Sequence, residues 1–340
     1  MITRRQLWIG GALTTTLAGT GFALYERKGP HIPTLSKEQP HRVIRLAWPR
    51  YEEDALWVVA MQKGYFSRHN LEVQIVPGLD EEEEVIGALK ERQADAAIAS
   101  ILRWVPALYT HSLSAKLVTG LYAGTFRIFV ARGSKIDRIS DLQNKVIGVG
   151  DSSPNGLDRL FVSLMLRRKG MNPYKDITWR QLDEDDVLPL LEERGIDAYA
   201  AHDPDAWYFM QENVGDIQQL FSSITGQYEG RVNRVLGVDE GFLEQDLTGV
   251  QLLVAALQQS VKWIRDHLKE TSALLEGVLK EMSQREILRM LYHESQGIAP
   301  IGKTLIVQTA QYIDEFKLLG LLPDTTNSYR LAKDMCQKIF

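Results

Sequence analysis

Residues 85–100 read Val-Ile-Gly-Ala-Leu-Lys-Glu-Arg-Gln-Ala-Asp-Ala-Ala-Ile-Ala-Ser, and residues 187–202 repeat the pattern as Val-Leu-Pro-Leu-Leu-Glu-Glu-Arg-Gly-Ile-Asp-Ala-Tyr-Ala-Ala-His. Each copy follows an acidic run and predicts a short amphipathic helix, a tight turn and a small-residue strand that ends on a polar side chain. Two copies are too few for a solenoid, so the repeat predicts two similar α/β lobes. The residues that match at one spacing are Val85/Val187, Leu89/Leu191, Glu91/Glu193, Arg92/Arg194, Asp95/Asp197 and Ala96/Ala198.

The composition is that of an ordinary globular protein, with 340 residues, 44% hydrophobic and 24% charged. This length is enough for two lobes that each bury a core. The net charge of −5 argues against a broad basic face for nucleic acid, so no nucleic-acid partner is expected. Cys336 is the single cysteine, which excludes a disulfide or a cysteine-based metal cluster within one chain.

The N-terminal segment predicts export. Arg4 and Arg5 precede a long uncharged stretch, in a pattern similar to a twin-arginine signal. Residues 1–25 are therefore predicted to be an export signal or an anchor. Gly21-Phe22-Ala23 offers a small-x-small cleavage site, but about 20 apolar residues can also span a bilayer uncleaved. Cleavage of the segment and its retention as an anchor both stay open. The proline-containing residues 26–40 are predicted to be a linker.

Strand and helix patterns alternate from residue 43 onward. The order strand, helix, strand, helix, strand over residues 43–100 predicts parallel strands joined by right-handed crossovers. A similar alternation covers residues 145–202. From residue 252 onward the spacing of apolar residues predicts a nearly all-helical region. Residues 228–238 lie between and are predicted to return the chain to the first lobe.

Five short pieces, in order, resemble periplasmic solute-binding proteins of ABC importers, in the nitrate/sulfonate/taurine group that shares its fold with thiamine-pyrimidine precursor proteins. The resemblance covers residues 43–320, with departures at Asn144, where a glycine is usual, and at His202, where many relatives carry an aromatic residue. The pieces are Ala60 to Phe66 with Leu71 and Val73, Ala94-Asp95-Ala96, Asp141 to Gly148, Ile196-Asp197-Ala198, and Asp203-Pro204.

The resemblance implies a two-lobe type II periplasmic-binding-protein fold of the α/β class, in which each lobe is a mainly parallel sheet flanked by helices. Lobe one is expected at residues 41–128 plus 232–340, and lobe two at residues 129–231. The implied function is capture of a small, anionic solute in the periplasm by a monomer that delivers it to an ABC permease and its ATPase. Binding of a thiamine-pyrimidine precursor and a solute-sensing subunit of a signalling system stay open as alternatives.

No catalysis, cofactor or metal is expected. An enzyme of the thiamine-pyrimidine type would need a cysteine-rich, iron-handling segment, which Cys336 alone cannot supply. Neither a Gly-x-Ser-x-Gly elbow nor a His-Glu-x-x-His helix occurs in the sequence. The acidic runs 80–84 and 183–186 are interpreted as solvated helix starts, because the helix dipole favours acids there.

The ligand is expected outside the carboxyl ends of the strands, where open α/β sheets bind their ligands. A loop at residues 151–156 could cradle an anion through free N–H groups, or it could simply cap a helix. Trp104 and Trp207 could pack a ligand or the core. Further candidate anion partners are Arg103, Arg127 and Arg231. The predicted ligand-binding residues are Arg50, Tyr51, Ser100, Thr125, Ser152, Ser153, Asn155, His202 and Asp203.

Overall fold

A computed structural model describes residues 40–293 and 299–340 of the chain. The predicted export segment at residues 1–25 lies outside the described residues, as does the predicted linker except for Pro40. Within the described ranges, no helix is both long and apolar enough to cross a membrane.

The described strands form two five-stranded sheets. In the first sheet the order is β2-β1-β3-β10-β4, and in the second it is β7-β6-β8-β5-β9. The strands are β1 (Arg42–Ala47), β2 (Leu71–Ile75), β3 (Ala96–Ser100), β4 (Ala115–Tyr122), β5 (Phe126–Ala131), β6 (Lys145–Val149), β7 (Ile177–Gln181), β8 (Ala198–His202), β9 (Ile217–Ser222) and β10 (Arg234–Asp239).

The two sheets have the same construction. Strand β10 lies antiparallel between β3 and β4, and β5 lies antiparallel between β8 and β9. The other four strands of each sheet share one direction, which confirms the predicted mainly parallel lobes. We call the first sheet with its helices lobe one and the second sheet with its helices lobe two. Because β5 begins at Phe126, the chain leaves the first sheet before residue 128, the predicted end of this part of lobe one.

Helices cover both sheets and make up most of the C-terminal region, as predicted. Short 3-10 turns cover residues 51–53, 139–142 and 226–228. The helices are α1 (Ala55–Gln62), α2 (Tyr65–Arg68), α3 (Glu82–Lys90), α4 (Ile101–Tyr109), α5 (Leu157–Arg168), α6 (Glu184–Glu192), α7 (Asp205–Glu212), α8 (Glu240–Gln245), α9 (Leu247–Asp266), α10 (Leu268–Glu276), α11 (Gln284–His293), α12 (Gly302–Leu318) and α13 (Ser328–Met335).

The repeated stretch is α3 with β3 in lobe one and α6 with β8 in lobe two. Arg92 and Arg194 both adopt a left-handed backbone, with φ near 60°, just beyond these helices. The carboxylate of Asp95 accepts a hydrogen bond from the backbone N–H of Arg45 at 2.8 Å, and Asp197 accepts one from Val146 at 2.9 Å. The shared aspartate therefore ties the repeated strand to its parallel neighbour in the sheet, β1 or β6.

Trp104 belongs to the core of lobe one. Its ring lies against the backbone of β10, where a Cβ added to Gly237 would come within 2.3 Å of the indole. Its Nε1 donates to the carbonyl of Val235 at 2.9 Å, and the side chain is fully buried. Of the two roles left open for Trp104, packing a ligand or packing the core, the structure supports the core role.

A buried ionic cluster links helix α12 to both lobes. Helix α12 packs against α4 of lobe one and α5 of lobe two. Glu315 on α12 is fully buried and forms ion pairs with Arg168 of α5 and with Arg231, which is 2.7 Å away. The guanidinium of Arg231 also lies over the rings of Tyr228 and Tyr312, at 5.1 and 4.1 Å. We call these five residues the rear cluster.

Candidate ligand-binding site

A cavity of about 600 Å³ lies between the lobes at the carboxyl ends of the strands. Segments that follow β1 and β4 line it from lobe one, and segments that follow β6 and β8 line it from lobe two. This is the position at which open α/β sheets bind ligands. The volume falls in the range of sites that enclose small organic molecules.

Part of the cavity wall is apolar and comes from the C-terminal helical region. These side chains belong to α9, α10, α11 and the turn between α10 and α11, all on the lobe-one side of the chain. Such a wall favours the hydrocarbon part of an organic solute. Its residues are Val261, Ile264, Leu275, Leu279, Met290 and Leu291.

Four of the predicted ligand-binding residues line the cavity: Arg50, Thr125, His202 and Asp203. Thr125 lies where the chain crosses from β4 to β5 and is 1% exposed. Its Oγ1 has no hydrogen-bond partner among the described residues. A buried hydroxyl without a partner is costly, so Thr125 stays a candidate ligand contact.

Ser100 and Tyr51 do not line this cavity. Ser100 is fully buried, where its Oγ donates to Asn233 at 2.5 Å and accepts from the backbone N–H of Leu102 at 3.1 Å. It is the N-cap of α4. The hydroxyl of Tyr51 donates to Glu52 at 3.0 Å, and its ring lies edge-on to Trp57 beside a neighbouring surface groove.

In the predicted anion-cradling loop, Ser153 and Gly156 direct their donors to atoms of the loop itself. The carboxylate of Asp151 accepts hydrogen bonds from the backbone N–H of Ser153 at 2.8 Å and from its hydroxyl at 2.9 Å. The Oγ of Ser152 lies 3.4 Å from Gln181. Gly156 packs so closely that an added Cβ would lie 2.1 Å from the Asp151 carbonyl. Of this loop, Asp151 lines the cavity, while Ser152, Ser153 and Asn155 do not.

Two arginines of lobe one reach across the mouth of the cavity. Arg50 has a left-handed backbone and forms ion pairs with Asp205 of lobe two at 3.0 Å and with Glu53 at 2.7 Å. Burial lowers its pKa, but the nearby carboxylates outweigh this and raise it. Arg103 donates to the backbone carbonyl of Asn155 in lobe two at 2.6 Å. Both arginines thus hold the lobes together at the mouth.

The other two candidate arginines are buried in ion pairs. Arg127 donates two hydrogen bonds to the carboxylate of Asp203, at 2.8 and 2.7 Å. The two side chains are 2% and 1% exposed. Trp207, which is 2% exposed, lies beside this guanidinium and packs in an apolar cluster with α10 and α11. Arg231 belongs to the rear cluster. The pair of Arg127 and Asp203 therefore shapes lobe two beside the cavity.

His202 forms an ion pair with Asp158 across 2.9 Å, between its Nδ1 and the carboxylate. Burial lowers the pKa of the imidazole, but the charge and hydrogen bond of Asp158 outweigh burial and raise it to about 9. His202 is therefore protonated at neutral pH. The imidazole also lies beside the ring of Phe126, with 5.6 Å between centroids.

The sequence did not single out Asp54, Asp158 or Arg234, which all line the cavity. The interpretation of the acidic run 80–84 as a solvated helix start is wrong for Glu82, because this side chain is buried at the cavity in an ion pair with Arg234. Asp54 caps α1 by accepting from the backbone N–H of Leu56 at 2.8 Å. Its carboxylate also accepts from Trp48 Nε1 at 3.1 Å and from the Tyr122 hydroxyl at 2.7 Å. Burial raises its pKa. A capping aspartate before an apolar helix is a detectable signal, but its distant partners are not.

Residues 53–271, well over half of the chain, match the model of the family described as NMT1/THI5 like. The chain belongs to the NMT1/THI5-like family. The predicted family is thereby confirmed.

Solved structures share the fold of this NMT1/THI5-like protein. The aliphatic sulphonate binding protein SsuA of Escherichia coli is 15% identical, with a TM-score of 0.69 over 87% of this chain and 99% of that chain. The nitrate-binding protein NrtA of Synechocystis PCC 6803 is 12% identical, with a TM-score of 0.68 over 87% of this chain and 86% of that one. A desulfurization enzyme, DSZB, is more distant in fold, with a TM-score of 0.58 and 13% identity. The likeness to these proteins concerns the fold, which confirms the predicted architecture.

One curated relative has a longer chain. The nitrate import ATP-binding protein NrtC of Synechocystis is 22% identical over 227 residues, which are 62% of this chain and 33% of that protein. The match thus spans about a third of the length of that relative.

Proposed function

We propose that this chain is the solute-binding component of an ABC importer, which captures a small molecule between its lobes and delivers it to a membrane permease coupled to an ATPase. The observation that carries the proposal is the cavity of about 600 Å³ lined by both lobes at their strand ends. A ligand that contacts both lobes favours their closed arrangement, and closure gives a permease a signal to recognise.

The relatives support this proposal and suggest solutes. The names of similar proteins mention aliphatic sulphonate and nitrate, which agrees with the anionic solute predicted from the sequence. We place the chain in the periplasm because those proteins are named as periplasmic and because residues 1–25 predict export. A solute-sensing subunit is an alternative role for the same site.

A second candidate solute class is the thiamine-pyrimidine precursors. The observation that favours it is the apolar wall made by α9, α10 and α11. A small inorganic ion such as nitrate would leave this wall and most of the 600 Å³ unused. An organic solute with a ring or chain would bury it.

A thermal-shift panel tests the proposal with nitrate, taurine, alkanesulfonates, aminopyrimidines and alkylamines. At 100 times its Kd, a true ligand stabilises the folded protein by about 2.7 kcal/mol. The variant Asp205→Lys should reduce this stabilisation, because it sets a positive charge against Arg50 and opposes closure. Glu192→Lys on the exposed face of α6 is the matched control. Failure of every solute, or equal stabilisation in Asp205→Lys, would contradict the proposal.

A further inference from the structure

The cavity carries an excess of negative charge. Its lining includes ten carboxylate side chains against three arginines and one histidine, and one of the ten, Asp203, is neutralised by Arg127 behind the lining. Carboxylates already neutralise three of these four cations, because Arg50, Arg234 and His202 are held in ion pairs. A concave site lined mainly by one sign of charge concentrates ligands of the opposite sign. The field in this cavity therefore opposes an anion and attracts a cation.

Among the carboxylates of the cavity, Asp54 is the one best placed to bind a cationic ligand. Its hydrogen bonds come from three neutral groups, the backbone N–H of Leu56, the Trp48 indole and the Tyr122 hydroxyl, and the charge of Arg234 acts on it without a hydrogen bond. These three contacts hold the carboxylate in one orientation at the cavity wall. A carboxylate fixed in this way can accept a short, charge-assisted hydrogen bond from a ligand nitrogen.

Two further atoms at the cavity lack hydrogen-bond partners among the described residues. The Oγ1 of Thr125, which is 1% exposed, can donate or accept a hydrogen bond. The Nε of Arg103 can only donate. A ligand that satisfies Thr125 and Arg103 carries a hydrogen-bond acceptor, in addition to the N–H groups that bind Asp54. The apolar wall of α9, α10 and α11 leaves room for a hydrocarbon body beside this polar end.

We propose that the ligand of this cavity is an organic cation, an ammonium or amidinium group on an alkyl or aryl body, whose nitrogen binds the carboxylate of Asp54. This proposal rests on the solute-binding function proposed above and replaces the anionic class expected from the sequence. The body lies against the apolar wall, and an acceptor atom of the ligand faces Arg103.

Two matched probe series test the class of ligand. The first compares hexylammonium, hexanol and hexanesulfonate, and the second compares benzamidinium, benzamide and benzenesulfonate. Each series keeps the hydrocarbon body and changes the head group from cationic to neutral to anionic, so thermal shift and calorimetry compare the three head groups on one body. We expect the two cations to bind most tightly and the two sulfonates not to stabilise the protein. Cation affinity should also fall as salt is added.

The variant Asp54→Asn tests whether the carboxylate of Asp54 binds the cation. Asparagine has one acceptor oxygen, which can serve either the N–H of Leu56 or Trp48 and Tyr122, so thermal denaturation of the unliganded variant first establishes that it folds. Hexylammonium binding should weaken by about tenfold or more, since a charge-assisted hydrogen bond is lost, while hexanol binding should hardly change. Glu192→Gln removes the same charge from an exposed site on α6 and should leave both probes unaffected.

The outcomes separate this proposal from the function on which it rests. Stabilisation by the sulfonates but not by the cations would overturn the cationic class and leave the solute-binding function standing. Equal weakening of hexylammonium and hexanol in Asp54→Asn would overturn the role of Asp54. If no probe of either charge and no solute of the wider panel stabilises the protein, both proposals fall.

Discussion

The lobes meet at two places that differ in burial. At the mouth of the cavity, Arg50 and Asp205 form an ion pair whose side chains are 42% and 40% exposed. At the rear cluster, Glu315 is fully buried between Arg168 and Arg231. An exposed ion pair contributes about 0–1 kcal/mol, whereas removing one partner of a buried pair costs about 3–5 kcal/mol. The difference predicts that the contacts at the mouth break more easily than those of the rear cluster.

The largest effect is expected at the rear. Glu315→Ala leaves two cations close together in a buried place, so the free energy of unfolding should fall by about 3–5 kcal/mol. Urea denaturation followed by circular dichroism measures it. Arg168→Ala is the comparison, because the Arg168 side chain is 31% exposed and its loss should cost less. A loss below about 1 kcal/mol for Glu315→Ala would remove the contrast between rear and mouth.

An intermediate effect is expected from His202 in lobe two. Its pKa is raised to about 9, from an ordinary value near 6.5, so the folded protein binds a proton more tightly than the unfolded chain. The stabilisation is complete below about pH 6.5 and is lost as the pH rises towards 9, by as much as about 3 kcal/mol.

Thermal denaturation across pH 6 to 10 tests whether Asp158 causes this dependence of stability on pH. In Asp158→Asn the imidazole loses its carboxylate partner, and the decline in Tm between about pH 6.5 and 9 should become much shallower. An unchanged pH profile in this variant would show that another group titrates. The side chain at position 158 keeps its size, so a change in packing is a small contribution.

The smallest effect on stability is expected at the mouth. Arg50→Ala should change the free energy of unfolding by less than about 1 kcal/mol, because its ion pairs are exposed to solvent. The same variant removes a contact between the lobes, so the unliganded protein should open further. Small-angle scattering measures this as a larger radius of gyration. A large loss of stability without a change in radius would reverse the roles given to mouth and rear.

The sequence predicted the architecture because the repeat carries its own structural marks. The turn at Arg92 and Arg194 and the docking aspartates Asp95 and Asp197 are local features, so they appear at one spacing in both lobes. Strand β9 was missed because the two glutamines of Ile217–Ser222 interrupt the apolar pattern. Helix α4 was missed because it follows β3 without a turn and contains Pro106.

The candidate site was predicted only in outline. Of the residues predicted at the strand ends, Arg50, Thr125, His202 and Asp203 line one cavity, and their role in ligand binding stays a prediction. Pattern alone could not distinguish a serine that faces a ligand from one that caps a helix, as Ser100 does. It also could not pair Asp54 with Tyr122, because such contacts depend on how distant strands pack.

The position of β10 has a consequence for the order in which the protein folds during synthesis. Strand β10 lies between β3 and β4, yet all five strands of lobe two precede it in the chain. The ribosome therefore delivers every strand of lobe two before lobe one can close its sheet. Until Arg234–Asp239 emerges, β3 and β4 each present an unpaired edge, which is a template for aggregation. A nascent chain that pauses before residue 234 is thus expected to need a chaperone for lobe one more than for lobe two.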